Sequence, residues 1–149
     1  MKRINEYKKL FGVEKEIELK ALKTSYRNLV KEWHPDKFQD GDALQEEAEV
    51  NSRKIIDGYH FLVSIAPETK AANLEEYNET IINSGIADFQ HKGMVLEINY
   101  LDGTTYEYFG VDRKIYQKMV NSDKLNRFAK RAIYPNYIYR KSKRAVEEV

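Results

Sequence analysis

The sequence predicts an α+β protein of 149 residues in two parts. Residues 1–83 space their apolar side chains three and four apart, the period of helices that bury one face. Residues 84–149 instead alternate apolar and polar side chains in short runs rich in tyrosine, the period of strands. The charge changes sign between the halves: 13 Lys and Arg against 16 Asp and Glu in the first, a balance of −3, then 12 against 8 in the second, a balance of +4. The expected architecture is a four-helix unit whose second and third helices pair antiparallel, followed by a small α+β unit with an antiparallel sheet and two short helices. The expected boundaries are 1–83 for the helical unit, 84–93 for a linker or first strand, 94–141 for the α+β unit and 142–149 for a charged tail.

An apolar fraction of 42% supports packed cores. There is no cysteine, so no disulfide or thiolate metal site holds the fold, and a reducing cytoplasm is the expected setting. The N-terminus is charged at every turn, unlike a signal peptide, and no apolar stretch nears the length of a membrane span.

Along the first half, Asn5 can cap a short helix over Glu6–Phe11, with Tyr7, Leu10 and Phe11 on one stripe and Gly12 as its stop. A second helix carries Leu19, Leu22, Tyr26, Leu29 and Trp33 on an inner seam. Its opposite face carries Lys20, Lys23, Arg27 and Lys31, a cationic row that runs towards His34, Pro35, Asp36 and Lys37. Pro35 cannot continue a helix and pushes His34 into extended backbone, so this helix must finish at about Trp33. Ala48, Ile55, Tyr59, Leu62 and Ala66 mark a long third helix. Pro67 starts a fourth with Leu74, Tyr77 and Ile81 on its apolar face, closed by Asn83, Ser84 and Gly85.

Over residues 4 to about 80 this arrangement resembles the J-domain family. The resemblance rests on Tyr26, Arg27, Leu29, Trp33 and the tripeptide His34, Pro35, Asp36 with Lys37, set between a basic amphipathic helix and a long one. It implies a module that binds a DnaK-type chaperone through Lys23, Tyr26, Arg27, His34, Pro35, Asp36 and Lys37 and stimulates ATP hydrolysis by that partner. The requirements are physical: Pro35 restricts the loop, Asp36 offers a carboxylate to an Arg, and the cationic row steers an acidic surface. Asn28, Glu32 and Phe38 depart from the family's usual basic, basic and Asn residues, and Asn28 and Glu32 leave a degenerate J-like scaffold as an alternative.

In the second half, Met94–Leu101 and Thr104–Phe109 alternate as neighbouring strands, and Asp102-Gly103 suits a two-residue hairpin turn. Ile86–His91 can add an earlier strand before a turn at Lys92 and Gly93. Asp112 can cap a helix bearing Ile115, Tyr116, Met119 and Val120, and Ser122 or Asp123 can cap another bearing Leu125, Phe128, Ala129 and Ala132. Pro135 ends that run, and Tyr137–Tyr139 read as a last strand. From Met94 to Arg140 the chain resembles the KTSC domain through its strand, the Asp102-Gly103 turn, Tyr106, Tyr108, Val111, Tyr116, Phe128 and Tyr139. That resemblance implies a fold and carries no settled activity.

Between Lys118 and Arg144 nine basic residues face one acid, Asp123, among Tyr134, Tyr137 and Tyr139. Such a composition suits RNA or single-stranded DNA, with Lys130, Arg131, Tyr137, Tyr139 and Arg140 as the candidate contacts. The favoured alternative is a solvated basic face with half-buried strand tyrosines. His34, His60 and His91 make no metal-ligand pattern, and no phosphate loop or nucleophile motif is present. The expectation is a binding protein with no catalytic residues, metal or cofactor of its own: a co-chaperone whose second unit receives a client protein or directs it to a location.

Overall fold

The computed structural model describes residues 2–38 and 43–142. They form two compact units, Lys2–Lys70 and the chain from Ala71 onward. Apart from Ser142, the expected charged tail lies outside the described residues.

In the first unit, α1 spans Lys2–Leu10, starting ahead of the expected Asn5 cap. Ile4 explains the earlier start, because it is buried, as is Phe11 seven residues on, and closing a helical turn around a buried apolar side chain outweighs a local cap. Helix α2 spans Leu19–Trp33. It stops where proline chemistry requires: His34 is extended at φ −61° and ψ 130°, and Pro35–Lys37 form a 3-10 turn. Helix α3 spans Gln45–Ile65, and α4 spans Pro67–Asn83.

α2 and α3 run antiparallel. The Leu19 amide at the start of α2 donates to the Glu68 carboxylate just past the end of α3 (2.9 Å), and Tyr26 further along α2 stacks on Tyr59 of α3. Leu22, Ala48, Ile55, Phe61, Leu62 and Ile65 are buried in this unit.

The division between the units falls inside α4, ahead of the 83/84 boundary that Ser84 and Gly85 suggest. The first turn of α4 serves the first unit, through Glu68 and through a bond from the Thr69 hydroxyl to the Val63 carbonyl (2.6 Å). From Ala71 onward it serves the second, where Tyr77 and Thr80 are buried. Leu74, expected on the apolar face, is 46% exposed.

The second unit is built on an antiparallel sheet in the order β1-β2-β3-β4: β1 Ile86–Lys92, β2 Val95–Tyr100, β3 Thr105–Phe109 and β4 Ile138–Lys141. The segment 84–93 thus contributes a strand to this unit, and the last strand begins one residue later than expected and runs to Lys141.

The two hairpin turns exchange the expected roles. Lys92 pairs with Val95 across Gly93 and Met94, both at positive φ (54° and 65°), so the two-residue turn lies here. Asn99 pairs with Thr105 across a longer connection in which the Gly103 amide bonds the Tyr100 carbonyl (3.0 Å) and the Tyr100 amide bonds the Thr104 carbonyl (2.9 Å). Leu101, Asp102 and Gly103 therefore form a three-residue loop in which Gly103 alone takes positive φ (89°). Asp102 stays at negative φ because its carboxylate accepts the Thr104 amide (2.9 Å), closing its own local turn.

Helix α5 spans Arg113–Val120, and its cap is the expected one: Asp112 accepts the Ile115 amide at 2.9 Å. Helix α6 spans only Leu125–Phe128 and continues as a π-helical turn over Ala129–Ile133. Its N-cap is Lys124, with no side-chain cap, while the Ser122 hydroxyl accepts the Lys124 amide (3.2 Å) two residues too early to cap it. Leu96, Ile98, Tyr100, Tyr106 and Tyr108 from the sheet, Tyr77 from α4, Met119 from α5, and Phe128, Ala129 and Ile133 form one core.

Candidate functional site

Lys20, Lys23, Arg27 and Lys31 recur at helical spacing on α2, and all four are exposed. Among the described residues none of them pairs with an acid, so their charge faces water. The inner face of the same helix is occupied: Leu22 is buried, and Leu19, Tyr26, Leu29 and Trp33 are half-buried.

The row ends at the 3-10 turn. The Asp36 amide donates to Nδ1 of His34 (3.2 Å), and the Lys37 amide donates to the His34 carbonyl (3.0 Å). Two bonds inside a four-residue span give the turn a defined shape. The Asp36 side chain is 93% exposed, with His34 Nδ1 at 3.5 Å from its Oδ2. His34 and Lys37 are exposed. Because Nδ1 accepts an amide proton, the neutral ring carries its own proton on Nε2.

Tyr26 differs from the other expected contact residues. Its ring lies 4.1 Å from that of Tyr59 with the planes 18° apart, so much of its surface serves the α2 to α3 packing. Phe38, just beyond the turn, stacks on Trp33 with centroids 6.1 Å apart and planes at 19°.

The basic and aromatic set expected near the C-terminus is not assembled as one surface. Lys130 and Arg131 are exposed on the π-helical turn, where Arg131 lines a shallow recess of about 290 Å³ together with Lys124 and Arg127. Arg140 is instead bonded to Glu107 (Nε to Oε1, 3.1 Å), and both side chains are largely covered at 16% and 15% exposure. Tyr139 stacks on Tyr77 at 4.0 Å, and Tyr137 is half-buried. Strand pairing explains the difference: Arg140 lies opposite Glu107 and Tyr139 opposite Tyr108, so β4 spends these side chains on the sheet. Composition alone does not show that.

Composition also hides a buried hydroxyl chain. Tyr77 bonds Tyr108 (3.1 Å), Tyr108 bonds Tyr100 (2.8 Å), and Tyr100 donates to Tyr134 (3.0 Å). Burial pushes Tyr77, Tyr100 and Tyr108 well above the ordinary tyrosine range, and Tyr106 up to about 12. The alternation of Tyr100, Tyr106 and Tyr108 along the strands is the sequence signal that they share a face, but nothing in it brings Tyr77 and Tyr134 to them. The series runs from Tyr77 to Tyr134, and no buried side-chain polar atom is left unpaired among the described residues, so it reads as an internal polar core.

Beside the three-residue loop, Glu76, Glu79, Thr80, Asn83, Ser84, Leu101, Asp102 and Thr104 border an open cleft of about 450 Å³. Partial burial alone would raise the Asp102 carboxyl, but bonds from Thr104 and Thr80 and the charge of Lys141 hold it below its usual range. Those bonds tie the loop to the end of α4, and the Ser84 hydroxyl accepts the Asp102 amide (2.9 Å). No group of His, Asp or Glu suited to a metal occurs among the described residues, and no described helix is long and apolar enough to cross a membrane.

Comparison with known proteins bears on both halves. The chaperone protein DnaJ of Mesomycoplasma hyopneumoniae (strain 232) is 36% identical over 73 residues, which are 48% of this chain and 19% of that protein. The chain therefore spans about a fifth of the length of that relative. The second unit carries a KTSC domain, matched over residues 83–137 and extended in the fold by α4 before it and β4 after it.

Proposed function

We propose that this protein is a co-chaperone: its first unit docks on a DnaK-type chaperone and speeds that partner's ATP hydrolysis, while its second unit selects a client protein or a location. The observation that carries this reading is the Asp36 carboxylate, 93% exposed on a hydrogen-bonded turn just past a helix whose outer cations are unpaired among the described residues. A carboxylate held in this way suits a charge-assisted bond to an Arg, and the cationic row suits an acidic surface around it. Similarity to a chaperone protein named DnaJ supports the choice of partner. In this reading the hydrolysing site belongs to the partner, and the chain works in the cytoplasm with no cofactor or metal of its own.

A pull-down from cytoplasmic extract with wild type and Asp36→Asn side by side tests it. A DnaK-type chaperone retained by wild type and lost by the variant is the expected result, and proteins retained by both are candidate partners of the second unit. Equal retention of the chaperone by both proteins contradicts the role of Asp36, and retention by neither contradicts the reading and leaves a J-like scaffold in its place.

A further inference from the structure

We propose that Phe38 is a positioning residue for docking, one that governs how well Asp36 is aimed rather than how tightly α2 is held. The inference rests on the docking reading above. The two hydrogen bonds of the turn, Asp36 amide to His34 Nδ1 and Lys37 amide to the His34 carbonyl, lie within residues 34–37 and fix its internal shape. Neither reaches back to the body of α2. The turn is hinged to α2 through the extended backbone of His34 and lies beside α3, and it carries the exposed carboxylate of Asp36.

The stack of Phe38 on Trp33 spans that hinge. Trp33 is the last residue of α2 and Phe38 the first beyond the turn, so the pair ties both ends of the segment carrying Asp36 to one place. Both residues are half-buried, so the stack is partly shielded from water. The cations that would bring a partner in, Lys20, Lys23, Arg27 and Lys31, stand earlier on α2 and take no part in the stack. Attraction and aim are therefore carried by different residues.

The test titrates wild type, Phe38→Ala, Phe38→Leu and Phe38→Tyr into a DnaK-type chaperone and reads ATP turnover at each concentration. Phe38→Ala is expected to lower maximal stimulation roughly two- to tenfold, the worth of one aromatic pair, with the half-saturating concentration held within about twofold. Phe38→Tyr keeps the ring and restores the maximum; Phe38→Leu keeps bulk without the ring and does not, and it decides the matter if the alanine variant unfolds. Trp33 is the one tryptophan in the sequence, so its emission reports the stack directly and should change in the Ala and Leu variants alone. Full stimulation by Phe38→Leu with altered Trp33 emission overturns the proposal, as does a change confined to half-saturation. Stimulation by wild type that Asp36→Asn abolishes but no Phe38 variant alters removes only the positioning role. No stimulation by wild type removes the docking reading along with it.

Discussion

The amide of Asp36 donates to Nδ1 of His34 at 3.2 Å, while the Asp36 carboxylate lies 3.5 Å from the same nitrogen. One imidazole nitrogen thus shapes the turn from within and neighbours the group proposed to meet the partner. His34→Ala removes the acceptor, so stimulation of the partner should fall about tenfold or more. Thermal stability should stay within about 0.5 kcal/mol of wild type, because the side chain is exposed. An ATPase assay paired with a thermal melt checks both, and a large loss of stability would make His34 a structural residue.

Tyr26 and Tyr59 stack between α2 and α3, at 4.1 Å and 18°. A double-mutant cycle with Tyr26→Ala and Tyr59→Ala, read by denaturant unfolding, should show a coupling of about 0.5–1.5 kcal/mol. Additive effects would mean that the stack contributes nothing beyond the area it covers.

Gly58 sits on α3 where an added Cβ would come within 2.8 Å of a Tyr7 ring carbon and 3.1 Å of the Phe11 ring. Alanine would improve helix propensity by about 1 kcal/mol, yet overpacking of this kind costs about 1–3 kcal/mol. Gly58→Ala should therefore leave stability unchanged or lower it by up to about 2 kcal/mol, with the denaturant midpoint as the readout. A clear gain in midpoint would show that α1 moves aside at no cost.

The buried tyrosines make the second unit sensitive to alkali. Folding raises their ionisation above the ordinary value of 10.0, so above about pH 10 the unfolded chain binds fewer protons than the folded one and stability falls as pH rises. Below about pH 10 the contribution is fully present. Tyrosinate absorbance should therefore appear for Tyr77, Tyr100 and Tyr108 only together with cooperative loss of structure. Smooth titration of all eleven tyrosines in a folded protein would contradict this. Tyr108→Phe, which takes a partner from both Tyr77 and Tyr100, should cost about 1–3 kcal/mol.

Where the sequence carries a stereochemical rule, the fold is legible in it. Pro35 ends α2, Asp112 caps α5, and the three-four spacing of Ile55, Tyr59 and Leu62 marks α3. Asp102-Gly103 misleads because the same pair serves a two-residue turn and a longer loop, and the choice depends on whether the Asp side chain captures the Thr104 amide. Tyr77 follows the helical period faithfully, but period alone does not say which unit receives it. Arg140 and Tyr139 look available in composition and are withdrawn by cross-strand partners that only the register identifies. For the turn at His34–Lys37, the residue types and their order are readable directly, whereas the exposure of Asp36 and the stack of Phe38 on Trp33 follow from tertiary placement.

The most direct measurement is the rate of a single round of ATP hydrolysis by a DnaK-type chaperone, taken alone, with the wild-type chain and with Asp36→Asn. An acceleration by wild type that the single-atom-scale change at Asp36 abolishes, with the melting curve unchanged, is the expected result. Equal rates in all three conditions, under which a DnaJ protein does accelerate the same chaperone, would contradict it.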